Sequence, residues 1–208
     1  MAISNKVCKG SGYIYVRKLT EENKATIPKI ADITKLTNGE ATAWLDYLKA
    51  LRKAANELGY IKNGYEFATQ ITMLEDQSDM GQLKVQDIQD EKGTSKFALF
   101  NADGETIQKM YPMAQTGYDE TSKLRVTAIG GKGNQNNEIY EVLFVHPDTA
   151  NGDVVIYSQG QNFEGLTIGY KPSAVTPLNC TYQQQALDDT GRMAYMFDMP
   201  KEFKWELE

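Results

Sequence analysis

Between Gly59 and Phe197 the hydrophobic period is two, and glycine-bearing dipeptides cut the alternation into short runs. The clearest run sets Phe67, Thr69, Ile71 and Met73 against Glu66, Ala68, Gln70 and Thr72. Further runs occupy residues 83–88, 97–100, 124–129, 138–145, 153–157, 166–170, 178–186 and 192–197. Asn63-Gly64, Asp103-Gly104, Gly130-Gly131, Asn151-Gly152 and Thr190-Gly191 supply turn chemistry between them. Period two sends neighbouring side chains to opposite faces of a strand, so many short strands at close spacing predict an antiparallel β-sandwich or barrel.

One segment breaks this rule. Trp44, Leu45, Leu48, Leu51, Ala55 and Leu58 recur at helical spacing and define a packing face. Thr37 and Glu40 fit a capping box, and Gly59 reads as the stop, which predicts one amphipathic helix over about residues 40–58. Its other face carries Asp46, Lys49, Arg52, Lys53 and Asn56, too mixed in sign for a lipid-bound helix. The class is mainly β (α+β), with the helix laid on a sheet. We read residues 1–208 as one domain, with an N-terminal arm over about 1–36 and a C-terminal tail over about 200–208.

Few sites announce chemistry. The single histidine, His146, precedes Pro147 at the end of an apolar run, which suits a strand end better than a triad or an imidazole metal site. Cys8 and Cys180 have no CxxC partner, which argues against zinc and fits a reducing compartment. The stretch from Ile129 to Asn137 lacks the spacing and the Ser/Thr of a phosphate loop. In the acidic stretch from Asp76, Met80 stands where a calcium loop needs an oxygen. Asp188 and Asp189, followed by Thr190-Gly191, read as a turn. No apolar run is long enough to span a membrane, and the N-terminal stretch lacks a signal-peptide core. We expect no enzyme, no cofactor and no metal.

Charge is informative in its distribution. The chain of 208 residues has 22 basic and 28 acidic side chains, for a net charge of −6, which gives no bulk attraction to nucleic acid. Residues 1–60 carry ten Lys/Arg against six Asp/Glu, whereas residues 61–208 carry twelve against twenty-two. The run over 178–186 places Asn179, Thr181, Gln183 and Gln185 on one uncharged polar face, without the lysines that usually guard an edge strand.

Residues 56–112 resemble the major tail (tail tube) proteins of long-tailed bacteriophages. The likeness rests on Leu58-Gly59-Tyr60-Ile61, the Asn63-Gly64 turn, the acidic loop with Glu75, Asp76 and Asp79, and Phe97-Ala98-Leu99-Phe100-Asn101. A closing hairpin over 181–197 adds to it, and the helix before Leu58 departs from the pattern. The resemblance implies a β-sandwich/barrel of the phage tail-tube type with one flanking helix, six copies closing a ring, and rings stacking into a tube. It implies as partners other tail proteins, such as tape measure and terminator. Double-stranded DNA would pass without sticking, no membrane would be bound, and the protein, made in the bacterial cytoplasm, would reside in the virion tail. Glu75, Asp76, Asp79 and Met80 are then candidates for reaching the neighbouring ring, and Asp87, Gln183 and Gln185 for lining an acidic lumen. A competing reading is an exported β-sandwich module that binds glycans, which requires a cluster of exposed aromatics.

Overall fold

The computed structural model describes residues 12–77, 84–99, 103–134, 137–148, 150–169, 177–203 and 205. Cys8, Asp79 and Met80 lie outside them. The chain is mainly β. In order, the elements are β1 (Tyr13–Lys18), α1 (Glu21–Thr26), α2 (Asn38–Ala54), β2 (Asn56–Gln77), β3 (Lys84–Leu99), α3 (Gly104–Met110), β4 (Ala114–Asp119), β5 (Leu124–Ile129), β6 (Tyr140–His146), β7 (Val154–Asn162), β8 (Leu178–Gln184) and β9 (Ala194–Asp198).

The large antiparallel sheet closes on itself. Its seven strands run β6-β1-β2-β3-β8-β7-β9, and β6 also pairs with β7. The first six of these therefore form a ring of pairings. The seventh, β9, lies along β7 at Val154–Ser158, whereas β8 meets β7 at Gly160–Asn162. Where β8 arrives, a Cβ on Gly160 would sit 2.3 Å from the Gln183 carbonyl oxygen. Only a residue without a side chain lets the two backbones meet there.

Strand alternation sorts the apolar residues into two layers. Ile14, Val16, Leu58, Phe97, Leu99, Val142, Phe144, Cys180 and Tyr182 fill the interior, with Ile107 and Met110 brought in by α3. The neighbours that point outward from β1, β6, β7 and β9 (Tyr15, Leu143, Val145, Val155, Tyr157 and Tyr195) pack against Trp44, Tyr47, Leu48 and Leu51 of α2. Leu45 is partly buried on the same cluster. The Thr37–Glu40 capping box forms in full, and Glu40 also accepts from the Ala31 amide at 2.9 Å.

Several expectations change. The helix stops at Ala54, because Ala55 is extended, so Leu58 belongs to β2 and the interior cluster and not to the helical face. Two further helices are present, and Asp103-Gly104 opens α3, with Asp103 capping the Thr106 amide. Asn63-Gly64 is no hairpin turn: Gly64, at φ +81°, lies within β2 at a shift in register between Lys62 and Tyr65. The run at 166–169 forms no strand. The N-terminal arm contains β1, which inserts between β2 and β6 with both faces covered. In the C-terminal tail, Phe203 and Trp205 pack on the α2 side, and Trp205 Nε1 donates to Asp153 at 2.7 Å. His146 is buried at the end of β6.

Candidate functional site

The strands at 66–73, 83–88 and 97–100 merge into two long ones. β2 and β3 pair from Ile61↔Leu99 out to Gln77↔Lys84, whereas β8 accompanies β3 only as far as Thr94. Beyond that point the two strands form an arm, roughly 25 Å long at about 3.3 Å per residue. No other described strand pairs with it. Glu75 and Asp76 are in its β2 strand, not in a loop.

The arm has unlike faces. Tyr65↔Phe97, Phe67↔Ser95, Thr69↔Gly93, Ile71↔Glu91 and Met73↔Ile88 continue the interior face of the ring outward. Glu66↔Lys96, Ala68↔Thr94, Gln70↔Lys92, Thr72↔Asp90 and Leu74↔Asp87 continue the exterior face. A skipped residue between Ile88 and Asp90 keeps the two sets in phase. Gln183 sits opposite Thr94 and so belongs to the exterior face, as Asp87 does. Asp87, Gln183 and Gln185 are all exposed. Asp87 stands about 23 Å along β3 from the Gln183 pairing.

The root of the arm is held firmly. Tyr65 stacks on Phe144 with centroids 4.4 Å apart, and its hydroxyl lies 2.8 Å from Ser95 Oγ, to which Gln184 Nε2 donates at 2.7 Å. Burial pushes the Tyr65 phenol up. On the interior side, Phe67, Thr69 and Glu91 line an open groove of about 320 Å³, closed opposite by residues 190–194. That turn is built by Asp188, whose carboxylate accepts from the Thr190 amide at 2.9 Å, Arg192 Nη1 at 3.0 Å and Tyr195 Oη at 2.7 Å. Desolvation opposes ionisation of Asp188, but the bonds from Thr190 and Tyr195 win and hold its carboxyl below the usual range. The aspartate pair is thus a turn, as the dipeptide after it implied.

Among the described residues, α2 reaches only half of the outer surface of the ring, and the other half mixes buried Ala98 and Thr181 with exposed polar side chains. α2 covers β1, β6, β7 and β9, whereas the outward face of β2, β3 and β8 presents exposed Glu66, Gln70, Lys96, Asn179 and Gln183. Sequence reasoning found the polar side of β8 and the alternation of Phe67, Thr69, Ile71 and Met73, but not that β2 and β3 continue as one arm past the ring. Among the described residues, no cluster of three or more His, Cys, Asp or Glu could hold a metal ion, and no helix is long and apolar enough to cross a membrane. Of the exposed aromatics, Tyr118 is on β4 and Phe163 follows the end of β7. No family model matches the chain, and no curated protein matches it either.

Proposed function

We propose that this chain is a structural virion protein, the subunit of a phage tail tube that assembles as stacked hexameric rings around a channel for the genome. The observation that carries the reading is the arm: a two-stranded extension of the ring whose interior face, past the groove closed by residues 190–194, exposes Ile71, Met73 and Ile88, with no described strand paired beside them. A two-stranded ribbon is marginal alone in water, so such an arm belongs against a partner. The uncovered polar face of β2, β3 and β8 supplies the second requirement, a surface that can face water in a lumen. Asp87 and Gln183 lie on that side, where Lys92 is paired with Asp90 and Lys96 stands opposite Glu66, so the lysines there are offset by carboxylates and give phosphate no net positive surface. Interfaces in permanent assemblies bury roughly 2,000–5,000 Å², enough to build a tube without chemistry. Tape-measure and terminator proteins are then the partners at the tube's axis and end.

Negative-stain microscopy of the purified protein tests this. Six-fold rings or tubes are the expected outcome. A species that stays monomeric at high concentration overturns it.

A further inference from the structure

Three buried side-chain polar atoms have no hydrogen-bond partner among the described residues: Trp44 Nε1, Ser158 Oγ and Gln184 Oε1. Trp44 Nε1 stands apart in the outer layer, walled by the rings of Tyr47, Tyr157, Tyr195 and Phe197. The other two belong to one place. Buried hydroxyls and amides are nearly always hydrogen-bonded, so a pair of orphans side by side calls for a common partner.

Both atoms lie at the root of the arm. Ser158 is fully buried on the interior side of β7, close enough to the Tyr65 hydroxyl to hold that phenol down against burial, but outside bonding geometry. Tyr65 Oη lies 2.8 Å from Ser95 Oγ, which accepts from Gln184 Nε2 at 2.7 Å. Gln184 pairs with Gly160, two residues past Ser158 and so about 7 Å along the same face of β7. On its other side is Gly93, where a Cβ would sit 3.1 Å from Gln184 Cβ. Neither glycine brings a side chain against the Gln184 amide.

The protons fix the chemistry of the partner. One hydroxyl proton serves the Tyr65–Ser95 bond, which leaves the other and the Ser158 proton without an acceptor. Gln184 Oε1 is left without a donor. Turning the amide over only exchanges which of its ends is left. The partner therefore has to accept from hydroxyls and donate to an amide oxygen within a buried space. A cation takes the lone pairs but leaves the protons unplaced, and an anion takes the protons but faces Oε1 with like polarity. Water does both.

We infer that one water molecule is held at the root of the arm, bonded to Ser158 Oγ, Gln184 Oε1 and the Tyr65 hydroxyl. It joins β7 and β8 of the ring wall to β2 and, through Ser95, to β3, the two strands that leave as the arm. A bridging water bonds nearly as well as a direct contact, so the arm departs from a fixed point. The site lies within one subunit and holds for a monomer as for a tube.

The test is a structure of the wild-type protein at a resolution that shows ordered water, with Ser158→Ala, Gln184→Met and the double variant compared in urea. A solvent peak within hydrogen-bonding distance of Ser158 Oγ and Gln184 Oε1 is the expected result. Side chains turned to bond each other or Tyr65 directly, with no peak between them, overturn the site. Each single variant is expected to lower the urea midpoint, and the double variant to fall no further than Gln184→Met alone, because the first loss already breaks the bridge. Additive shifts in the midpoint overturn the bridge.

Discussion

At Glu141 one fully buried carboxylate accepts from side chains on three elements: Arg17 of β1, Tyr47 of α2 and Tyr157 of β7. Burial, and then the adjacent carboxylate, push the Tyr47 and Tyr157 phenols up, so both stay neutral donors. Removing one member of a buried ion pair strands the other charge. Glu141→Gln should therefore destabilise the fold by about 3 kcal/mol in urea denaturation. Adding Arg17→Met should recover part of that loss, and an unchanged midpoint in the single variant would refute the account. Glu40 works at the surface. Hydrogen bonds from the Ala31 amide and then from Thr37 lower its carboxyl from 4.5 to about 2. A depressed folded-state value means that the stabilisation is present above pH 4.5 and lost as pH falls toward about 2. Wild type should thus melt above Glu40→Gln at pH 7, and the two curves should converge near pH 2 when followed by circular dichroism.

Element boundaries follow from what each segment has to pack against. α2 was legible because its stripe and its capping box point to the same structure. β1 was not, because Tyr-Ile-Tyr-Val is apolar on both faces, and a strand buried on both sides carries no alternation signal. Asn63-Gly64 and Asp103-Gly104 were recognised as punctuation but assigned the wrong role. A positive φ serves a bulge as well as a turn, and an aspartate before glycine caps a helix as well as it opens a loop. The long arm was broken into pieces because residues 89–96 are polar, as a ribbon that leaves the ring has no second sheet to bury against. Gly160 makes the clearest case at this scale. Gly160→Ala forces a Cβ into the Gln183 backbone and should cost about 3 kcal/mol by overpacking. Gly117→Ala, where a Cβ meets nothing within 4 Å, is the control and should be nearly neutral. Equal stability of the two variants would mean that the β7–β8 junction does not need a glycine.

For the whole molecule, the ring of pairings leaves two surfaces with opposite needs. One is covered by α2 and the C-terminal Phe203 and Trp205, the other exposes mainly polar side chains among the described residues, and the arm carries the interior face beyond both. The charge arithmetic gains a location from this. The acidic excess includes the arm, and the basic excess includes the exposed lysines ahead of α2. Rings or tubes in negative stain are the expected outcome at this scale.

Local chemistry by itself determined that this chain is mainly β, where its principal helix begins, and that Asn151-Gly152 and Asp188 to Gly191 reverse direction. Those features depend on neighbours a few residues away, which a sequence displays directly. Tertiary structure alone decided that β6 returns to β7 and closes the sheet, and that α2 takes one half of its outer surface. It also decided that the face read as core in Tyr65 and Phe97 continues into solvent at Ile71 and Met73. The physical reason is that burial is a property of what else arrives in space. The same alternation that fills a ring becomes, a few residues past its rim, a surface that lacks its other half.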